Sequence, residues 1–462
     1  MSLPGQCCSG QLACPKSMVL VLIDQRNMEK RRLLSFRTVF STPSFPHSSN
    51  THSAFRRILP IKRDMTHCRS PSKPRVFPSS GWDIIDPSIP IEEESIPTYR
   101  PEKFYPVYIG EVFNHRYQVL GKLGYGSTAT VWLGRDLSDD HYVALKIYTA
   151  STTVTQEIEI YNHLRAIRSD HAGQTCLRPL IDIFHIHSPD GNSDHTCLVH
   201  PPLGISLDQL AQLLPDGVMS SAMVRTTIRN VLAALDFLHT EAQVIHTDLQ
   251  PNNILLGIKD DSILYKFEQA EIDMPVPRKT LENRTIYFSR PLPVSYGTPV
   301  LCDLGEARLG TNDQKGDIMP DIYRAPEVIL NMNWDHKVDI WSVGMLIWDL
   351  FEHRHLFRAR NPARELHDGY HLAEMQAVLG SPPLKLLGQS ERSHQFWDEK
   401  GNWKGAAPVP DFNLEALEER LKGDEKVDFL RFLRRMLCWL PEERASAKEL
   451  LFDPWLMRGL FK

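Results

Sequence analysis

The stretch His246-Thr247-Asp248-Leu249-Gln250-Pro251-Asn252-Asn253 constrains this chain more than any other. It reads His-x-Asp-x-x-x-x-Asn. Asp248 offers a carboxylate that can accept a hydroxyl proton, and Asn253 offers a neutral oxygen ligand suited to Mg2+. Eight residues are weak evidence alone. Their weight comes from further short patterns that keep a fixed order on both sides.

Upstream, Gly121-Lys122-Leu123-Gly124-Tyr125-Gly126-Ser127-Thr128-Ala129-Thr130-Val131 joins two strand-like runs. Glycines at 124 and 126 let backbone N–H groups approach phosphates with no Cβ in the way. Leu123 and Tyr125 flank them, Val131 is placed to cover a base, and Ala129 holds the third small position. Val143-Ala144-Leu145-Lys146 follows about twenty residues after Gly124. A lysine within an apolar strand needs an anionic partner, because a lone buried ammonium is costly. The helix-period segment Thr155 to Leu164 supplies Glu157 for that role. Glu159 is the other candidate, but it lies about 200° round a helix, so both cannot face Lys146.

Downstream, Cys302-Asp303-Leu304-Gly305 brings a second carboxylate able to hold Mg2+. Tyr323-Arg324-Ala325-Pro326-Glu327 follows, then Asp339-Ile340-Trp341-Ser342-Val343-Gly344, which reads as a helix propping the loop at Asp248. Arg444 stands where a buried ion-pair partner for Glu327 is expected.

These residues together resemble the eukaryotic protein kinase family over roughly residues 115–460. Within it the chain looks like the SR-protein kinases, closely so the fungal members. Three features point there: Thr247 where most kinases carry Arg, the Asp-Leu-Gly metal motif, and fifty positions between Asn253 and Asp303. The resemblance implies an α+β bilobal fold, with a small β-rich lobe before a larger α-helical one. It implies ATP and Mg2+ as cofactors, with Asp248, Lys146, Glu157 and Gln250 catalytic and Asn253 and Asp303 on the metal. The nucleotide would lie against Leu123, Gly124, Tyr125, Gly126, Val131, Ala144 and Lys146. Thr196 to Gly204 reads as a strand entering the inter-lobe hinge, with His200 as gatekeeper. Adenine would then bond the Pro201 carbonyl and the Leu203 N–H; proline keeps its carbonyl although it lacks an N–H.

The implied activity is a Ser/Thr protein kinase on Arg/Ser-rich proteins. Threonine at 247 brings no charge with which to bind a phosphate, so activity is expected without phosphorylation of the Asp303–Glu327 segment, where Thr311 and Tyr323 carry hydroxyls. Gln250 replaces a lysine that would neutralise the transferring phosphoryl group. Losing one charge-stabilising donor costs roughly 10²–10³ in rate. A pseudokinase scaffold is therefore the alternative, motivated by Gln250, Ala129 and Pro201.

The organisation expected is a disordered basic Ser/Pro/Arg-rich tail over 1–80, an extended lead-in over 81–114, the small lobe and hinge over 115–204 and the large lobe over 205–462. Folded structure is expected to start at Tyr117. An insert at about 258–298, polar and Pro-containing, reads as disordered. The net charge of −5 hides an asymmetry: residues 1–80 hold thirteen Lys/Arg against three Asp/Glu. The remainder is acidic, which suits a basic protein substrate better than nucleic acid. Glu352, Glu365 and Asp368 are acidic candidates for a docking region. Eight scattered cysteines without a Cys-x-x-Cys pair argue for free thiols in a reducing compartment. The apolar run Met18 to Ile23 is too short to span a membrane. Cytoplasm or nucleus is expected, with a mitochondrial address through the basic tail as the alternative.

Overall fold

The computed structural model describes residues 72–460, apart from 151 and 311. The disorder expected for 1–80 therefore lies almost wholly outside the described residues. No described helix is long and apolar enough to cross a membrane, and the described cysteines 176, 197, 302 and 438 are free thiols.

Alternation along one strand decides the small lobe. In β4 (His141–Tyr148) side chains point alternately to two faces. Val143, Leu145 and Ile147 enter an apolar cluster with Tyr117, Val119 and Val199. The register that buries them turns Ala144, Lys146 and Tyr148 to the other face. Around this strand a six-stranded antiparallel sheet runs in the order β1-β2-β3-β4-β6-β5. Its other members are β1 (Val112–Phe113), β2 (Tyr117–Tyr125), β3 (Ala129–Asp136), β5 (Asp182–His187) and β6 (Asp194–His200). Helix α1 (Thr155–Ala166) follows β4 and buries Glu157, Ile160 and Tyr161, while Glu159 is exposed.

The large lobe is helical. Helix α2 (Leu207–Leu213) and helix α3 (Ser221–Phe237) are each capped by a serine, Ser206 and Ser220. Short strands β7 (Val244–Ile245) and β8 (Ile254–Leu256) bracket the Asp248 loop.

The insert is folded, contrary to expectation. It holds helix α4 (Ser262–Asp273) and a hairpin of β9 (Arg278–Thr280) with β10 (Thr285–Tyr287). It leaves β8 and returns to β11 (Pro299–Leu301), and those two strands pair with each other. Leu264 and Phe267 pack with Leu120 of β2 and Leu133 of β3. Glycine at 121 makes room: a Cβ there would sit 2.7 Å from the Phe267 ring. Glu268 accepts from Tyr142 Oη at 2.6 Å and Arg75 Nε at 3.0 Å. The missed signal was helical spacing in Ile263, Leu264 and Phe267, masked by the polar residues between them. A segment rooted in the large lobe thus covers one face of the small-lobe sheet.

The lead-in is likewise structured, so folding does not wait for Tyr117. Ile91, Phe104 and Val107 are buried, and single helical turns form at Glu92–Ser95 and Pro101–Lys103. Lys122, fully buried, is neutralised by Glu93 and, at 3.4 Å, by Glu92. Strand β1 also moves the sheet's start ahead of residue 115.

Beyond β11 come β12 (Arg308–Leu309), α5 (Pro326–Ile329), α6 (Lys337–Phe351) and α7 (Asp368–Leu379). Helix α6 is apolar nearly all round and lies in the middle of the large-lobe core.

Phe267→Ala is expected to destabilise the protein by about 3 kcal/mol, from lost burial plus the cavity left over Gly121. Denaturant unfolding of wild type and variant checks this.

Candidate active site

The loop carrying Asp248 is held from beneath by one buried carboxylate. Asp339, in the first turn of α6, accepts from the backbone N–H of His246 at 2.8 Å (Oδ2) and of Thr247 at 2.8 Å (Oδ1). His239 Nε2 meets the same Oδ2 at 2.8 Å. Burial works against this carboxylate, but His239 and His246 outweigh it and hold its pKa below the ordinary value. The expected prop is therefore two hydrogen bonds to the loop's backbone. They help hold Thr247 at φ 65°, a left-handed conformation that side chains rarely adopt. The Thr247 hydroxyl donates to the Glu306 carbonyl at 2.7 Å, and His246 Nε2 lies 3.1 Å from the Cys302 carbonyl. The Asp248 loop and the Asp303 segment are thereby joined by two side chains.

At the tip, both Asp248 oxygens have amide partners. Gln250 Nε2 donates to Oδ1 at 2.9 Å, and Asn253 Nδ2 donates to Oδ2 at 2.7 Å. Burial raises the pKa of Asp248, while these amides oppose the rise. Gln250 orients the carboxylate without adding charge. Asn253 Nδ2 also donates to the Asp248 carbonyl at 2.8 Å, which leaves its own carbonyl oxygen as the ligand atom.

Across the cleft, Lys146 Nζ lies 3.1 Å from Asp303 Oδ1 and 3.4 Å from Glu157 Oε1. Burial disfavours the ammonium, but the two carboxylates more than offset it, and its pKa stands above the ordinary lysine value. Asp303 is pulled below the usual range by Lys146 and the Gly305 N–H, against the effect of its own burial. Its side chain keeps 43% exposure towards the cleft. It too sits at positive φ, 63°. Asp303 and Asn253 make an all-oxygen donor set of one carboxylate and one amide, which fits Mg2+. Glu157 is the Lys146 partner that the sequence pointed to; Glu159 is not.

Gly124 near the end of β2 pairs with Val131 of β3, and Gly126 lies in the turn between them, closed by its N–H on the Ala129 carbonyl at 2.8 Å. Leu123 and Tyr125 end β2. Val131 pairs with Lys146, and Ala144 with His200, across the sheet. The segment after β6 is fixed by Gly204 N–H on the Leu256 carbonyl at 2.7 Å, with Leu203 half-buried before it. The Pro201 carbonyl, expected to await adenine, already accepts Arg178 Nη2 at 2.9 Å and Nε at 3.2 Å. Sequence reasoning missed Arg178, because nothing in Leu177-Arg178-Pro179 marks its reach. It also missed Tyr148, whose hydroxyl donates to Glu157 Oε2. A sign was there: Tyr148 lies two residues beyond Lys146, hence on the same strand face.

Glu327 and Arg444 form the expected pair, bidentate at 2.6 and 2.7 Å and wholly buried. Of the two hydroxyls after Asp303, Tyr323 is buried and bonded to Asp349 Oδ2 at 2.9 Å. Thr311 lies outside the described residues. Among the acidic candidates, Glu365 is tied to Asn361 and Asp368 to Arg392. Glu352 differs: it is buried, and its Oε1 has no hydrogen-bond partner.

The arrangement can accept a hydroxyl proton at Asp248, hold Mg2+ at Asn253 and Asp303, and place a phosphate at Lys146. The chain is similar to known protein kinases. The model of the protein kinase domain matches residues 117–456. A serine/threonine protein kinase of Aspergillus fumigatus is 45% identical over 84% of this chain and 96% of its own. The serine/threonine-protein kinase SRPK of Physarum polycephalum is 29% identical over 79% of this chain and 91% of its own. Protein kinase dsk1 of Schizosaccharomyces pombe is 25% identical over 81% and 87%. The crystal structure of one kinase domain superposes with a TM-score of 0.59 at 23% identity, over 77% of this chain and 99% of that one.

Glu327→Gln would strand the Arg444 charge in the core. Equilibrium unfolding is expected to show a loss of about 3–5 kcal/mol.

Proposed function

The chain belongs to the protein kinase family, and on that premise we propose that it phosphorylates serines and threonines in basic, Arg/Ser-rich proteins. The observation that carries the catalytic part is the loop geometry: Asp248 is aligned by Gln250 and Asn253 and feels the charge of Asp303, which pairs with Lys146 beside Glu157. Asp248 orients the acceptor hydroxyl and takes its proton. Lys146 pairs with the phosphates of ATP. Bound Mg2+, on Asn253 and Asp303, would neutralise charge on the phosphates. The intact ion pairs and the similarity to named kinases favour turnover over a scaffold reading. Thr247 engages a backbone carbonyl in place of a phosphate, in keeping with activity that needs no phosphorylated segment.

Two things support the basic substrate. The relatives include a kinase named SRPK and one named SRSF protein kinase 3. In addition, an acidic cavity of about 310 Å3 lies in the large lobe, lined by Asp216, Asp349, Glu352, His353, Arg354 and His355. Asp349 Oδ1 and Glu352 Oε1 are both buried there without a donor, and a guanidinium offers five. Of the cations about, His355 Nδ1 lies 2.9 Å from Asp349 Oδ2, which raises its pKa, Arg354 is engaged by Glu419 at 2.7 Å, and Arg420 donates to the Met219 carbonyl at 2.9 Å. Burial, then the neighbouring Glu418, push Glu352 up to about 7. It is thus neutral in mild acid and charged above neutrality.

A phosphotransfer assay with Mg-ATP and an Arg/Ser-repeat peptide tests the reading. Asp248→Asn is expected to lose about 10³-fold in kcat, and Gln250→Lys to gain about tenfold or more. An inactive wild type activated by Gln250→Lys would replace this reading with a silenced scaffold. For the substrate class, KM for the Arg/Ser peptide is expected to fall as pH rises through about 7, where Glu352 ionises. Glu352→Gln should flatten that dependence and leave an arginine-free serine peptide unaffected.

A further inference from the structure

The buried carboxylate of Glu157 has two partners on one strand. Lys146 and Tyr148 both belong to β4 and both project from the face that meets α1. Lys146 Nζ stands 3.4 Å from Oε1, the longer of its two carboxylate contacts, since Asp303 lies at 3.1 Å. The Tyr148 hydroxyl takes Oε2. The Tyr148 ring lies under the ammonium, 4.8 Å from Nζ to centroid. Tyr148 is itself buried and fixed from behind, because its backbone carbonyl meets His195 Nδ1 at 2.8 Å.

The division of labour is uneven. Lys146 is shared between Glu157 and Asp303, and a phosphate that enters is a further anionic partner for it. Tyr148 is not shared, and no ligand at the metal residues competes for its hydroxyl. A buried carboxylate with a single, movable partner would be free to swing, and α1 with it. The other side-chain hydrogen bonds of α1 come from other residues: Gln156 Nε2 on the Ala307 carbonyl, His163 Nε2 at 2.7 Å from the Ala242 carbonyl, and Arg165 Nη2 on the Leu180 carbonyl. None fixes the Glu157 carboxylate.

We propose that Tyr148 is a positioning residue for phosphoryl transfer: it holds Glu157 in place so that Lys146 stays aligned while it engages the nucleotide. This rests on the ATP-dependent reading above. It also offers a physical basis for a docked α1 in a chain with no arginine at position 247: the clamp is built into the strand.

The test is Tyr148→Phe, which keeps the ring and removes the hydroxyl, alone and combined with Glu157→Gln. Mg-ATP affinity is measured by calorimetry and kcat/KM by peptide phosphorylation, on the full chain. Tyr148→Phe is expected to lower kcat/KM for ATP about tenfold, the worth of one hydrogen bond to a charged group, with KM for the peptide unchanged. In the Glu157→Gln background the same substitution is expected to do little, because its target is gone. A Tyr148→Phe enzyme within about twofold of wild type overturns the proposal, as does a loss that simply multiplies with that of Glu157→Gln. A wild type that binds ATP but turns nothing over defeats the functional reading alone, and the affinities still decide the role of Tyr148. A wild type that binds no nucleotide defeats both.

Discussion

A single buried carboxylate, Asp339, sets the geometry on which the rest of this molecule depends. It lies at the start of α6, where the helix dipole favours negative charge. Its two oxygens bond successive backbone N–H groups of His246 and Thr247. Two adjacent donors pointing the same way require an unusual turn, and the chain supplies it at Thr247, φ 65°. Such a conformation costs of order 1–3 kcal/mol and persists only where the surroundings over-determine it. The surroundings here are the most deeply packed helix of the protein and the Thr247 hydroxyl on Glu306. Rigidity in the core of the large lobe is thereby delivered to the Asp248 carboxylate.

The second fixed point is the Lys146 group, built on an alternating strand rather than a loop. The two points meet through Asp303, which contacts Lys146 directly and follows the Cys302 carbonyl that His246 touches. Asp303 also sits at positive φ. Both strained residues lie at the site: Thr247 is held by Asp339 and the Glu306 carbonyl, and Asp303 by Lys146.

What the sequence made legible was whatever belongs to a recognisable motif. Lys146, Glu157, Asp248, Asn253 and Asp303 come together as their patterns implied, and Glu327 finds Arg444 across more than a hundred residues. The α+β bilobal architecture followed from the same ordered patterns and agrees with the similarity to a solved kinase domain. What remained illegible depends on contacts made outside any such motif. Phe267 finds Gly121, Lys122 finds Glu93, and Arg178 reaches the Pro201 carbonyl. Polar composition suggested that the lead-in and the insert would stay loose. They fold because a handful of apolar residues, Ile91, Phe104, Leu264 and Phe267 among them, are buried. A count of polar residues cannot reveal that economy; the position of each apolar one can.

The pairing of β8 with β11 has one more consequence. It places the two ends of the insert side by side, three residue pairs deep. The segment between them behaves as a cassette plugged into a closed socket. Lengthening such a loop costs only about 0.6 kcal/mol per doubling, so its size can drift while the socket, and the metal ligands just outside it, remain undisturbed. Its seat on β2 and β3 is the part that cannot drift freely, because Gly121 leaves room for one ring and no more. Variation in this lineage should therefore accumulate in the cassette's length and turns, and spare the helix face that carries Leu264, Phe267 and Glu268.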